Sequence, residues 1–189
     1  MIADRLPPPQ KVRSDKSSAI SSFVKQAVTI ADLTVPSKIL DLPCGTGRHS
    51  SWLAELGHKV TACDIDSALV SNVVGQIRSK GYDCTGLVAD ASLDLPFAQA
   101  EFDAVLIVDF VLGSLLKQIG QFVAPGGVLI YQSYAGRGQN WKQLLPPGYT
   151  IRAIEREFEI VEFSSNMAGP TRTEAESVRL IGRKRRASF

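Results

Sequence analysis

Two kinds of apolar pattern alternate along most of the chain. Short apolar or β-branched runs predict strands, and longer segments with apolar residues at every third or fourth position predict helices. The predicted strands lie at residues 38–42, 59–64, 83–88, 101–109 and 128–133. Because helical segments separate these strands, we expect βαβ units and a parallel sheet, with residues 104–108 as a strand buried on both faces.

Breaking and capping residues bound the helical segments. The first begins near residue 15 and closes at Pro36, and the second, residues 48–56, stops at Gly57. We expect Ser67 to cap the third, which Gly81 ends. A fourth helical pattern covers residues 112–123, before the break at residues 125–127.

The alternation of strand and helix patterns ends in the last third of the chain. Residues 158–163 and 177–182 read as consecutive strands without a strong helical pattern between them, which predicts an antiparallel pair at the sheet edge. The expected fold is therefore α/β, with a Rossmann-like, doubly wound, seven-stranded sheet that is mostly parallel and ends in an antiparallel hairpin. Residues 1–14, which include three consecutive prolines, are expected to form an extended or disordered arm before a single domain at 15–189.

Charge and cysteine content exclude several kinds of partner. Lys and Arg number 21 against 19 acidic residues, so the net charge of +2 provides no field for nucleic acid or anionic membrane. The apolar runs are too short for a membrane span. Three widely spaced cysteines indicate reduced thiols, so we expect a cytoplasmic protein. Two scattered histidines and these cysteines lack ligand spacing, and no metal site is expected.

Residues 39–49, ILDLPCGTGRH, predict a strand, a glycine turn and the start of a helix. Gly45 and Gly47 permit positive φ and close approach of the backbone to a ligand, beside the free N–H groups of a helix start. Asp64 ends the next strand about 20 residues later, where a carboxylate can accept both ribose hydroxyls of a nucleotide. The two features together predict a nucleotide or cofactor site.

Four predicted strands end in a carboxylate. Asp41, Asp64, Asp90 and Asp109 should meet at one edge of the sheet, where doubly wound folds bind their ligands. A cationic ligand that carries a sugar suits this arrangement.

These residues are where the chain resembles the class I S-adenosylmethionine-dependent methyltransferases. LDLPCGTG, VTACDID, LVADA and VAPGGVLI match four motifs of that family in order and spacing. CGTGRHSSWLAELGHKVTACD and LLPPGYTIRAIEREFEIVEF look most like small bacterial methyltransferases related to tellurite resistance. The first motif departs from the family pattern at Pro43, where glycine is usual and where proline leaves only a carbonyl to offer.

The resemblance implies roles for the cofactor site. The turn with Pro43, Cys44, Gly45 and Gly47 would pass against the methionine moiety of S-adenosylmethionine, and Asp41 behind it would accept from the cofactor ammonium or from loop amides. Asp64 would bind the ribose, Ile65 would pack on the adenine, and Asp90 with the Ala91 amide would bind the adenine edge.

The resemblance also implies where the methyl group leaves, giving S-adenosylhomocysteine. Asp109 and Phe110 would border the methyl group, and Asp109 or Tyr134 are the candidate general bases. The acceptor is expected to be a small molecule, namely a thiol, a chalcogen oxyanion or a metabolite hydroxyl or amine. Its pocket is expected to form from the first helix, residues 109–111 and the loop at residues 134–141, which includes Arg137, Asn140 and Trp141.

The sequence leaves two other functions open, and it gives separate expectations for the environments of the two histidines. A nicotinamide-dependent oxidoreductase would use the same glycines and Asp64, but Ser50 stands where its third glycine is expected. A non-catalytic sensor of S-adenosylmethionine would have the same cofactor motifs. His49 is either a neutral hydrogen-bond donor or a surface residue, and His58 is expected at the surface. The oligomeric state is not predicted.

Overall fold

A computed structural model describes residues 10–11, 19–111, 113–136, 145, 148–167 and 175–186. The strands are β1 (Gln10–Lys11), β2 (Lys38–Asp41), β3 (Lys59–Asp64), β4 (Cys84–Val88), β5 (Phe102–Val108), β6 (Phe110–Val111), β7 (Val123–Gly136), β8 (Phe158–Met167) and β9 (Ala175–Lys184). The helices are α1 (Ser22–Ala31), α2 (Arg48–Glu55), α3 (Ser67–Ser79), α4 (Gly113–Gln118) and α5 (Tyr149–Ile154), with a 3-10 turn at Ile119–Gln121.

Seven strands form one mixed sheet in the order β4-β3-β2-β5-β7-β9-β8. The pairs from β4 to β7 are parallel, and β9 lies antiparallel between β7 and β8. The chain runs outward from β2 to β4 and returns to the other side of β2 with β5. A crevice is therefore expected at the carboxyl ends of β2 and β5, where the strand order reverses. The predicted doubly wound fold with its antiparallel C-terminal hairpin is confirmed.

The sheet separates two hydrophobic clusters. Ala104 and Leu106 of β5 pack with α1, α2 and α3 on one face, and Val105 and Ile107 pack with α4 and α5 on the other. Each of these four side chains is at most 1 % exposed. The continuous apolar run of β5 thus fills both halves of the core, as expected for a strand covered on both faces.

Several details differ from the predictions. Asp66 rather than Ser67 caps α3, because its carboxylate accepts hydrogen bonds from the amides of Ala68 and Leu69. Helix α5 was not predicted, since six residues are too few for a clear helical period. His58 is buried rather than exposed, and its Nδ1 accepts a hydrogen bond from the Ser37 amide at 3.2 Å.

Part of the predicted N-terminal arm lies within the described residues. Strand β1 pairs antiparallel with β6, so Lys11 lies opposite Phe110. The rest of the predicted arm at 1–14 lies outside the described residues, as do Arg137, Asn140 and Trp141. Across the described helices, none combines the length and apolarity that a membrane crossing requires.

Candidate functional site

The turn after β2 has the glycine-dependent geometry that the sequence predicts. Gly45 and Gly47 have φ values of 56° and 78°. A Cβ on Gly47 would lie 2.5 Å from Cγ2 of Val73 in α3, so only glycine fits there. The Cys44 amide donates to the Cys63 carbonyl at 2.8 Å and thereby ties the turn to β3.

Asp64 joins the glycine turn to the next turn of the site. One carboxylate oxygen accepts from the Gly45 amide at 3.0 Å, and the other accepts from the Asp66 amide at 3.2 Å. The Asp64 side chain is buried, yet it also lines a cavity. A carboxylate oxygen has two acceptor positions, so Asp64 can hold both turns and still accept from a ligand.

A cavity of about 390 Å³ opens at the carboxyl ends of β2, β3, β4 and β5. This volume lies within the range of small-molecule sites. Ile65 is 65 % exposed there, which leaves an apolar surface next to the Asp64 carboxylate. The described residues that line the cavity are Leu42, Pro43, Asp64, Ile65, Asp66, Ala89, Asp90, Ala91 and Phe110. The structure thus brings together five predicted cofactor-site residues from three separate turns.

Asp90 is held in place by Ser92. The Ser92 amide and hydroxyl both donate to Oδ1 of Asp90, at 2.8 and 2.7 Å. These two bonds hold the pKa of the Asp90 carboxyl below its usual value, and the bond from the Ser92 amide has the larger effect. The carboxylate is therefore ionised at neutral pH, and Oδ2 can accept from a ligand.

Asp41 lies behind the glycine turn but outside the described lining of the cavity. It is 1 % exposed, and its Oδ2 accepts from the Ser50 hydroxyl at 2.6 Å. Burial raises the pKa of Asp41 to about 7, against the opposing effect of hydrogen bonds from Ser50 and the nearby Arg48 guanidinium. Its observed partner is α2, and its expected contact with a cofactor ammonium stays a prediction.

Asp109 and Arg48 form an ion pair beside the cavity. The Asp109 amide donates to the Gln132 carbonyl at 2.8 Å, and its carboxylate pairs with Arg48 Nη2 at 3.1 Å. Its φ of 54° is rare for a residue other than glycine and is tolerated best by Asp and Asn. The next residue, Phe110, lines the cavity.

Tyr134, the other candidate base, lies two positions beyond Gln132 in β7. It is half-buried and falls outside the described lining of the cavity. Asp109, which is bonded to Gln132, and Tyr134 thus both belong to the same end of β7, at the edge of the sheet where the cavity opens.

His49, at the start of α2, is the residue for which the sequence left two alternatives open. It is 4 % exposed, and its Nε2 accepts from the Ser21 amide at 3.3 Å. Burial, together with Arg48, lowers the pKa of His49 to about 3, so the imidazole is neutral. Of the two alternatives for His49, the surface residue is wrong; the imidazole is neutral, as in the other alternative, but the bond to Ser21 is one that it accepts rather than donates. The spacing of four residues from His49 to buried Leu53 was the signal that both occupy one helix face.

Ser21 connects His49 to β7. Besides donating its amide to His49, Ser21 donates its hydroxyl to Oε1 of Gln132 at 2.5 Å and caps α1 through the Val24 amide. The starts of α1 and α2 therefore meet at the same edge as Asp109. Within the described residues, no group of three or more His, Cys, Asp or Glu side chains is placed to hold a metal ion.

The sequence and the fold were compared with known proteins. Residues 39–127 match a family model described as a methyltransferase domain. The chain is 32 % identical over 111 residues to a demethylmenaquinone methyltransferase of Corynebacterium urealyticum. That match covers 55 % of this chain and 44 % of the relative, so less than half of the relative's length is represented.

Two solved structures have similar folds. The [4+2]-cyclase SpnF has a TM-score of 0.74 and 15 % identity, with 94 % of this chain and 85 % of that chain covered. TehB from Haemophilus influenzae has a TM-score of 0.68 and 19 % identity, with coverage of 89 % and 64 %. At these identities the likeness concerns the fold alone.

Proposed function

We propose that the protein transfers a methyl group from S-adenosylmethionine to a small-molecule acceptor, because residues 39–127 match a family model described as a methyltransferase domain. The observation that carries this proposal is the cavity beside the glycine turn. It combines a carboxylate at Asp64, an exposed apolar side chain at Ile65 and an ionised carboxylate at Asp90. This set suits a nucleoside with a positive charge.

The residues present fit the cofactor that the domain implies. We assign the ribose hydroxyls to Asp64, the adenine face to Ile65, and the adenine edge to Asp90 and the Ala91 amide. Pro43, Cys44, Gly45 and Gly47 would form the wall against the methionine moiety, with Asp41 behind them. Arg48 at the start of α2 offers a cation for the cofactor carboxylate, with Asp109 as its counter-ion.

A bound cofactor would supply a methyl group on a sulfonium; transfer of that methyl group to an acceptor lone pair would leave the electrons of the carbon–sulfur bond on sulfur. The chain's task is to align the acceptor and exclude water, which can contribute several kcal/mol. Phe110 would exclude water at the cavity wall. Asp109, paired with Arg48, or Tyr134 would take the proton of a protic acceptor.

The test is formation of S-adenosylhomocysteine from S-adenosylmethionine with a panel of thiols, selenite, tellurite and small hydroxylated aromatics. We expect transfer to at least one class. Asp109→Asn should keep the backbone, because Asn also tolerates positive φ, yet lower kcat/KM by about 10²-fold for a protic acceptor if Asp109 is the base. Asp83→Asn, at an exposed carboxylate away from the cavity, is the matched control.

A second candidate is a protein that binds S-adenosylmethionine without transferring its methyl group. The similarity to SpnF supports this candidate, because SpnF is a [4+2]-cyclase and a similar fold therefore does not by itself imply methyl transfer. Calorimetric binding of S-adenosylhomocysteine with no turnover on any acceptor class would support this candidate over ours.

We also propose that the protein works in the cytoplasm. Cys44, Cys63 and Cys84 are buried and form no disulfide, which supports work in a reducing compartment such as the cytoplasm.

A further inference from the structure

A closed ring of polar contacts includes Asp109, one of the two candidate bases. Its amide donates to the Gln132 carbonyl at 2.8 Å, and its carboxylate pairs with Arg48 Nη2 at 3.1 Å. The Ser21 hydroxyl donates to Oε1 of the same Gln132 at 2.5 Å. The Ser21 amide donates to Nε2 of His49 at 3.3 Å, and His49 is the next residue after Arg48 in α2. The ring therefore joins the start of α1, the start of α2 and the end of β7.

The backbone of Asp109 has a conformation that needs support from its surroundings. Its φ of 54° lies in the left-handed region, which residues other than glycine adopt at an energetic cost. Such a conformation persists only where neighbouring groups hold it, and it is frequent at functional sites. Gln132 holds the backbone of Asp109 and Arg48 holds its carboxylate. The Asp109 side chain is 13 % exposed, so these contacts fix it without sealing it from solvent.

Ser21 secures both of the groups that hold Asp109. Its hydroxyl binds the side chain of Gln132, and its amide binds His49 in the first turn of α2, which also carries Arg48. Ser21 also caps α1, but the cap uses only the oxygen of the hydroxyl, which accepts from a backbone amide of that helix. The hydrogen of the hydroxyl is left for Gln132. The link from Ser21 to Gln132 is therefore additional to capping.

We propose that Ser21 and Gln132 are positioning residues that keep Asp109 in the orientation in which it takes the proton of a protic acceptor. This inference rests on the proposed function, and it assigns the proton to Asp109 rather than to Tyr134. The proton passes from the acceptor to a carboxylate oxygen of Asp109 as the acceptor lone pair bonds to the methyl carbon, and the electrons of the carbon–sulfur bond stay on sulfur. Because a displacement of about 1 Å can cost about 10²-fold in rate, loss of the link should lower turnover.

Variants of the full chain separate this link from the capping of α1. Gln132→Met removes the accepting oxygen at a similar side-chain length and leaves the cap intact. Ser21→Ala removes both the link and the cap, and Ser21→Thr keeps a hydroxyl for both. The double variant Ser21→Ala with Gln132→Met tests whether the two residues act through one link. Gln76→Met and Ser79→Ala, at exposed positions of α3, are the matched controls.

The probes differ in whether the acceptor must lose a proton. 2-Mercaptoethanol and catechol are the protic probes, and selenite and tellurite offer a lone pair without proton removal. Formation of S-adenosylhomocysteine gives kcat and KM, and calorimetry shows whether the chain binds S-adenosylhomocysteine. Amide hydrogen exchange of the unliganded chain, followed by NMR, reports on the bond from the Asp109 amide to Gln132.

We expect transfer to a protic probe, with kcat about tenfold lower in Ser21→Ala and Gln132→Met and restored to within about threefold of wild type in Ser21→Thr. KM for S-adenosylmethionine should stay within about twofold, because neither residue is among the described residues that line the cavity. The Asp109 amide should exchange about tenfold faster in Ser21→Ala and Gln132→Met, whereas the Gly45 amide, which is bonded to Asp64, should keep its rate. The double variant should lose no more kcat than the more affected single variant.

An unchanged kcat or an unchanged exchange rate of the Asp109 amide in Gln132→Met would overturn the positioning role, as would losses that multiply in the double variant. Equal acceleration of exchange at Asp109 and Gly45 would overturn it too, since the variants would then act on the fold alone. Transfer to selenite or tellurite alone, or to no probe although S-adenosylhomocysteine binds, leaves no proton for Asp109 to take and has the same consequence. Failure of the wild-type chain to bind S-adenosylhomocysteine is a different result. It refutes the proposed function, and the positioning role with it.

Discussion

Replacing Asp41 with asparagine should stabilise the protein at alkaline pH. The carboxyl group is 1 % exposed and is raised in pKa from 3.8 to about 7, mainly by burial. Asparagine keeps the shape and an oxygen that can accept from the Ser50 hydroxyl, which now donates to Asp41 at 2.6 Å. It resembles the protonated acid, so it removes the buried charge without removing the hydrogen bond.

The sign follows from proton binding. Between pH 3.8 and about 7 the folded chain holds a proton on Asp41 that the unfolded chain has lost, so this carboxyl group makes the protein less stable as pH rises. At about 1.4 kcal/mol for each pKa unit, the loss between pH 5 and pH 8 is about 2–3 kcal/mol. The Asp41→Asn variant would not suffer that loss.

The assay is urea unfolding of the wild type and Asp41→Asn at pH 5 and pH 8. The difference between the two proteins is the relevant quantity, because His49, with its pKa lowered to about 3, opposes the trend in the wild type. Its unfolded form binds a proton below pH 6.5 that the folded form does not, so its contribution weakens stability as pH falls. Asp83→Asn at an exposed carboxylate is the control.

The free energy of unfolding of Asp41→Asn relative to wild type should rise by about 2–3 kcal/mol from pH 5 to pH 8. If the variant instead loses stability relative to wild type as pH rises, Asp41 is ionised and stabilised by its partners in the fold. The account of its burial is then refuted.

Substitutions at Asp64, Gly47 and His49, with matched variants for the last two, test other parts of the site. Asp64→Ala should weaken S-adenosylhomocysteine affinity by about 1–3 kcal/mol in calorimetry, since a buried acceptor is lost, and an unchanged affinity would remove the ribose role. Gly47→Ala should destabilise the chain by about 1–3 kcal/mol in urea unfolding, because the new Cβ would meet Val73 at 2.5 Å at a φ of 78°. Gly75→Ala, in α3 with no atom within 4 Å of the new Cβ, should stabilise it by about 0.5–1 kcal/mol, and equal effects at the two glycines would contradict the turn geometry. His49→Leu should lower the free energy of unfolding by about 1 kcal/mol because the Ser21 amide loses its acceptor, and His49→Gln should recover part of that loss. Equally fast hydrogen exchange at α1 in both variants would count against the contact.

The sequence carried enough information for the sheet and for most of the cavity wall. The run from Ala104 to Val108 has no polar residue, which is typical of a strand buried on both faces. Gly45 and Asp64 were predictable as partners because parallel strands end at one edge, and the structure joins them by a 3.0 Å hydrogen bond. Local chemistry and topology agree at these positions.

Other features depended on contacts that no local pattern encodes. Asp41 stands at a strand end like Asp64, yet its carboxylate accepts from Ser50 of α2 and it is not among the described residues that line the cavity. The hydrogen-bond partner of buried His49 is Ser21, the N-cap of α1, which lies 28 residues earlier in the chain. Both Asp66 and Ser67 are capping residue types, and only backbone geometry decides which of them caps α3.

The most direct test of the central claim is calorimetric titration of the full chain with S-adenosylhomocysteine and, in parallel, with NAD. The cavity beside Gly45 and Asp64 should bind S-adenosylhomocysteine, with affinity weakened in Asp64→Ala and retained in Asp83→Ala, and it should give no response to NAD. Binding of NAD without any response to S-adenosylhomocysteine would contradict the assignment of this site to a methyl-donor cofactor.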